Sequence, residues 1–248
     1  MGAFAALALS LASVIGGGFG SPVVELVGRS WEDRPIRAVV VGPPEASRRI
    51  LVVGCIHGDE CAGEGVTRRL VRAAAPHGAA LWIVHDLNPD GAVLGVRQNA
   101  RGVDLNRNFS SEWRRFGRRW DPQYSGPRPF SERETRVARR LILRVRPDVS
   151  IWYHQPQALV RAWGASVRAA RRYAGVARVP YRSIRWPPGS APNWQNHRFP
   201  GTASFVVELP PGRLDRRGAA RHVRAVLALG PAPVTEISDR SRPSARRR

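Results

Sequence analysis

Lysine is absent from this chain: every one of its 40 basic residues is arginine, set against 19 acidic ones. The resulting formal charge of +21 would attract anions such as nucleic acid, anionic membrane or wall polymer. Exclusive use of arginine, however, reads as a bias in residue choice as much as a binding face. The arginines are also scattered, apart from "WRRFGRRW" at 113–120 and the closing "RRR". No nucleic-acid partner is expected. Cysteine is almost missing too. The chain has two, Cys55 and Cys61, where a zinc ribbon needs more thiols. The pair reads as small residues packed around a tight loop; the alternative, a local disulfide, would require an oxidising compartment. A membrane-length apolar run is also lacking. Ala3 to Ile15 is apolar apart from two serines but too short to span a bilayer, so no stable insertion is expected. Its length suits a secretory segment, with small residues at Gly18 and Gly20, although no positive charge precedes it. We therefore expect a signal-like segment over 1–20 and an exported protein, with a cytoplasmic one as the alternative.

What is present suffices for one sizeable α/β domain over 21–232. The tail over 233–248 is rich in arginine and expected to be disordered. Strands are predicted at 36–42, 49–55, 79–87, 148–154 and 204–210 from their apolar, β-branched runs. Helices are predicted at 60–74, 131–146, 164–177 and 214–229, the second opening on a Ser131…Glu134 capping box. "NPDG" at 88–91 reads as a turn, and 88–130 and 180–202 as long loops, where a site is expected. Alternation of this kind implies an α/β fold: one domain, a mixed, mostly parallel sheet, helices on both faces.

Three stretches place a polar group at the end of an apolar strand: "VVGCIHGDE", "VSIWYHQP" and "SFVVELP". Ligands of open α/β sheets gather at the carboxyl ends of strands. His57, Glu60, His154 and Glu208 can therefore converge. Two histidines and a carboxylate form a zinc set with a fourth position left for water, and a carboxylate that is not a ligand can serve as general base. Glu208 is the candidate base, because an unpaired carboxylate in a buried strand is costly as mere structure. Asp59 and Glu64 read as charges that favour a helix N-terminus. His85 reads as packing under the sheet edge or reaching solvent, and His77, His197 and His222 as surface residues.

From about residue 27 to 230 the chain resembles the zinc carboxypeptidases. The resemblance rests on "HGDE", "NPDG", "RQNARGVDLNRNF", "FSERET", "YHQP" and "VVELP", in that order. It implies one Zn²⁺ held by His57, Glu60 and His154, with Glu208 activating water and passing its proton to the leaving amine. It further implies that Asp104 orients the His57 ring, and that Asn106 and Arg107 clamp a substrate carboxylate. Arg97, or failing that Arg101, would stabilise the oxyanion. The family's usual serine after the third ligand is Gln155 here, and its substrate-capping tyrosine has no clear counterpart among Tyr181, Trp186 and His197. The short span from His154 to Glu208, with "PGTASFVVELP", is similar to the compact bacterial branch that includes murein tripeptide amidases. Those cut between γ-D-glutamate and diaminopimelate.

The expected function is hydrolysis of an amide next to a free carboxylate, in a short peptide such as a murein peptide. A deacylase of N-acyl amino acids, of the aspartoacylase and succinylglutamate desuccinylase type, would share the ligands and the glutamate. A zinc-bearing binding module would not need the base. "WRRFGRRW", which follows the signature directly, reads as a rim around an anionic substrate or as a solvated loop.

Overall fold

Apolar runs from distant parts of the chain pair into one eight-stranded sheet in this computed structural model, which describes residues 21–231. The signal-like segment and the Arg-rich tail lie outside the described residues. In chain order the elements are β1 (Val23–Arg29), β2 (Pro35–Val41), β3 (Arg48–Val53), α1 (Glu64–Leu70), β4 (Ala79–Val84) and α2 (Pro89–Leu94). There follow α3 (Arg133–Val145), β5 (Val149–His154), β6 (Leu159–Ala162), α4 (Val167–Ala177), β7 (Tyr181–Ser183), α5 (Ala191–Arg198), β8 (Ala203–Glu208) and α6 (Arg216–Leu227). The sheet order is β1-β2-β4-β3-β5-β8-β6-β7. The inner block β4-β3-β5-β8 is parallel throughout, while β1, β2 and β6 join antiparallel. The expected mixed, mostly parallel sheet is thus what forms.

Every residue of β4, β5 and β8 is buried, which requires cover on both faces. Neighbouring residues of β5 show the two layers. Trp152 packs with Phe109 and lines an apolar hollow with Val137, Ala138 and Leu141 of α3. Tyr153, one residue on, points to the opposite side and meets Tyr173 of α4 and His222 of α6. Its hydroxyl lies 2.7 Å from that of Tyr173, which in turn lies 2.7 Å from His222 Nδ1. His222 is therefore no surface residue. Burial lowers its pKa to about 4, so it is a neutral partner for the tyrosines. His85 is half-buried, its Nδ1 2.8 Å from the Thr67 hydroxyl, whereas His77 and His197 are exposed.

Several local expectations change. "NPDG" does not end in a turn but opens α2: the Asn88 side chain accepts from Gly91 N and Pro89 occupies the first turn. The Ser131…Glu134 box does not form. Helix α3 starts from Glu132, Ser131 Oγ donates to the Glu132 carboxylate, and Glu134 accepts from Trp31 N. The helix predicted over 60–74 is a 3₁₀ turn at Cys61–Gly63 followed by the shorter α1, with Glu64 in its first turn. The loop predicted over 180–202 contains β7 and α5, and β6 lies between β5 and α4. Cys55 and Cys61, read as merely packed, are joined by a disulfide that encloses His57 and Glu60. Among the described residues no helix is long and apolar enough to cross a membrane.

Candidate active site

Sheet order explains why the predicted residues meet. β3, β5 and β8 are adjacent and parallel, so their carboxyl ends open at the same edge. The chain leaving β3 supplies His57 and Glu60, while His154 and Glu208 end β5 and β8 in register with each other.

The three candidate ligand atoms form a nearly equilateral triangle. His57 Nδ1 lies 3.0 Å from Glu60 Oε2, His154 Nδ1 lies 2.9 Å from the same oxygen, and the two Nδ1 atoms are 3.1 Å apart. Tetrahedral zinc with ligands at about 2.0–2.1 Å sets its donors roughly 3.3 Å apart, so this set fits zinc after a small expansion. Burial lowers His154 to about 4, leaving its imidazole neutral, as a ligand must be. His57 differs: burial pulls its pKa down, but the adjacent Asp104 carboxylate raises it overall. For Glu60, burial favours the neutral acid, yet contacts from His154 and His57 hold it well below the usual carboxylate range.

Asp104 is fully buried and central. One oxygen accepts from His57 Nε2 at 2.9 Å and from Asn106 N at 2.8 Å. The other receives Arg97 Nε at 3.1 Å and NH2 at 3.0 Å. The bond to Nε2 leaves Nδ1 of His57 facing Glu60 and His154. Arg97 also donates to Glu60 Oε1 at 2.5 Å and lines the pocket over the triangle. Arg101 does not. Its guanidinium lies over the Trp31 ring at 4.3 Å, and its nearest carboxylate is the buried Glu132, at 3.8 Å. Of the two oxyanion candidates, only Arg97 lines the pocket.

Asn106 and Arg107 line the same pocket. The Asn106 amide is engaged at both ends, its Oδ1 accepting from Ala191 N at 2.9 Å and its Nδ2 lying 3.2 Å from His154 Nε2. Arg107 donates to Asn106 O at 2.9 Å, and burial together with the nearby Arg97 and Arg161 lowers its pKa. Glu208 is 6% exposed, and its Oε2 has no hydrogen-bond partner. Burial raises its pKa and Arg161 opposes the rise.

Two residues emerge that the sequence reading did not place. Arg161, on β6 opposite Val206, reaches into the pocket and brings NH1 to 3.8 Å from Glu208 Oε1. An arginine inside the apolar run "ALVRAW" was the available signal. Gln155, noted only as a departure, staples the site. Its backbone N–H donates to Glu60 Oε2 at 3.2 Å, and its Oε1 accepts from Ala62 N at 3.0 Å. Its Nε2 donates to Pro210 O and Gly212 O, both at 2.8 Å, tying the metal loop to the chain after Glu208. Tyr181, Trp186 and His197 do not line the pocket, nor does any residue of 113–120. Phe116 and Trp120 are exposed, as a solvated loop would have them.

Gly58 sets the loop between the two candidate ligands. A Cβ there would lie 1.9 Å from Gly91 C, a contact with backbone that no rotamer can relieve. Gly58→Ala is expected to displace His57 from Glu60 and to lower zinc affinity by at least the ~10–100-fold typical of lost ligand support, as read by chelator competition.

Against known proteins, residues 23–185 match the model of the zinc carboxypeptidase family, and the chain belongs to that family. It is 34% identical over 151 residues to murein peptide amidase A of Escherichia coli (strain K12), covering 56% of this chain and 62% of that protein. That match spans less than two thirds of the relative. To murein peptide amidase A of Vibrio campbellii (strain ATCC BAA-1116) it is 30% identical over 203 residues, 75% of this chain and 78% of that one. Among solved structures, murein-tripeptide amidase from Escherichia coli O157 aligns with a TM-score of 0.68 at 27% identity, over 86% of this chain and 93% of the other. Carboxypeptidase A from Helicoverpa armigera shares the fold, with a TM-score of 0.70 at 19% identity, over 84% and 69% of the two chains.

Proposed function

We propose that the protein is a zinc-dependent amidase that cleaves the bond between γ-D-glutamate and diaminopimelate in short murein peptides. The observation that carries the chemistry is Glu208, buried beside a His-Glu-His triangle with its Oε2 lacking any hydrogen-bond partner. A binding module gains nothing from such a costly group. The similarity to murein peptide amidases supports the substrate class and does not favour the deacylase alternative.

Zinc, held by His57, Glu60 and His154, would supply a Lewis acid that acidifies a water molecule and polarises the scissile carbonyl. The chain's own residues do the rest. Glu208 takes the water's proton and delivers it to the departing amine. Arg97, already anchored by Asp104 and Glu60, presents positive charge where the carbonyl oxygen becomes negative. Arg107 binds the free carboxylate of the leaving amino acid, while Asn106 steadies both Arg107 and His154. Asp104 fixes the His57 ring. The disulfide supports the reading of an exported protein, since such bonds persist in oxidising compartments; cell fractionation tests it, and recovery with reduced thiols from the cytoplasm would reject it.

The test is turnover of L-Ala-γ-D-Glu-diaminopimelate by metal-analysed protein. Release of diaminopimelate should vanish with a chelator and return with about one equivalent of zinc. Zinc-loaded protein that releases nothing would sink the proposed substrate.

A further inference from the structure

The pocket holds more positive charge than one carboxylate uses. Three guanidinium groups line it: Arg97, Arg107 and Arg161. Arg97 is committed to Asp104 and Glu60. Arg107, on the proposed reading, takes the carboxylate beside the scissile amide. Arg161 has no such commitment. Its side chain is 16% exposed, its buried Nε has no hydrogen-bond partner, and its approach to Glu208, at 3.8 Å, is beyond hydrogen-bond range. It shares a face of the sheet with Val206 and Glu208, because directly opposed residues on neighbouring strands point to the same side. Holding a desolvated guanidinium there is unfavourable for folding unless something anionic arrives. Glu208 is a poor permanent partner, since a base locked into a salt bridge could not accept a proton.

We propose that Arg161 is a specificity residue that receives a second carboxylate, carried on the side chain of the leaving amino acid. The inference rests on the amidase reading and sharpens it: the leaving group is a dicarboxylic amino acid, one carboxylate going to Arg107 and the other to Arg161. Arg161 suits this task because a planar guanidinium donates two parallel hydrogen bonds to a carboxylate. Burial and the mutual proximity of Arg107 and Arg161 lower the pKa of Arg107, and burial lowers that of Arg161, strain that bound carboxylates would relieve.

Diaminopimelate and lysine provide the probe, since lysine is diaminopimelate without its side-chain carboxylate. Two tripeptides, L-Ala-γ-D-Glu followed by either residue, are compared in zinc-loaded parent and Arg161→Gln. In parallel, the two free amino acids are titrated calorimetrically into both proteins. The quantity read is the ratio between the two ligands within each protein, so a general loss of activity or folding in the variant cancels. The parent should favour the diaminopimelate peptide in kcat/KM, and diaminopimelate in binding, by about 10–100-fold, the range of one charge-assisted bond. In Arg161→Gln both ratios should collapse toward unity. A parent ratio near unity, or one the variant leaves unchanged, overturns the proposal. If binding shows the Arg161-dependent preference but neither peptide is cleaved, the specificity assignment stands and the amidase reading falls.

Discussion

Glu208→Gln should lower kcat by about 10²–10⁴-fold, the contribution typical of a positioned general base, while zinc content and thermal midpoint stay at or above those of the parent. Glutamine fills the same space but cannot carry the water's proton. Stability should not suffer, because the Oε2 of the buried carboxylate has no hydrogen-bond partner and Arg161, at 3.8 Å from Oε1, compensates the buried charge only in part. The pH profile carries the same signature. The base works only when ionised, so kcat/KM must fall as pH drops through its pKa. Burial pushes that pKa above the ordinary glutamate value, while Arg161 draws it back. Arg161→Gln should therefore move the acid limb to higher pH. A Gln variant that retains most activity, or an acid limb indifferent to Arg161, would remove Glu208 from the role.

Asp104→Asn is the substitution with the largest expected effect on both metal and fold. The carboxylate is fully buried, and four donor atoms from His57, Arg97 and Asn106 converge on it. Asparagine offers one acceptor in place of two and turns an N–H toward either His57 or Arg97. Breaking a buried ion pair costs about 3–5 kcal/mol, and the low end applies because Arg97 keeps partial contact with solvent. Zinc affinity should fall by about 10–100-fold as His57 loses its orientation. The interaction also has a pH dependence of definite sign. Burial opposes ionisation of Asp104, but His57 and Arg97 more than compensate and hold its pKa below the free value. Its contribution is therefore complete above the unfolded-state pKa, near 4, and is lost as pH falls toward the folded-state value. Denaturant melts of parent and variant should converge in acid; equal stability at neutral pH would refute the argument.

The candidate metal ligands and the candidate base were legible because they terminate apolar runs, and a charged group at the end of a buried strand has few structural excuses. The signature around Asp104 to Arg107 was legible through resemblance. Arg161 was not, because β6 has only four residues and its "LVRA" alternation is too brief to separate from a loop. α5 was hidden for a different reason: Asn193 and Asn196 lower its helical propensity, and its core contacts through Trp194 decide the outcome. Position in the sequence ranked Arg97 ahead of Arg101 without separating them fully. Both lie in one short loop, and only the partners of each, Asp104 against Trp31, separate them. The disulfide was underread because six residues of separation is equally compatible with two thiols lining a turn.

The order of strands also bears on when the chain becomes chemically active. β8 is late in sequence but sits between β5 and β6, so it must enter a gap in a sheet whose other strands precede it. A chain emerging from the ribosome possesses His57, Glu60 and His154 well before Glu208. Parallel pairing between distant segments is also slow to form. A chain lacking β8 would therefore lack not only the candidate base but also the strand that closes the sheet beside His154.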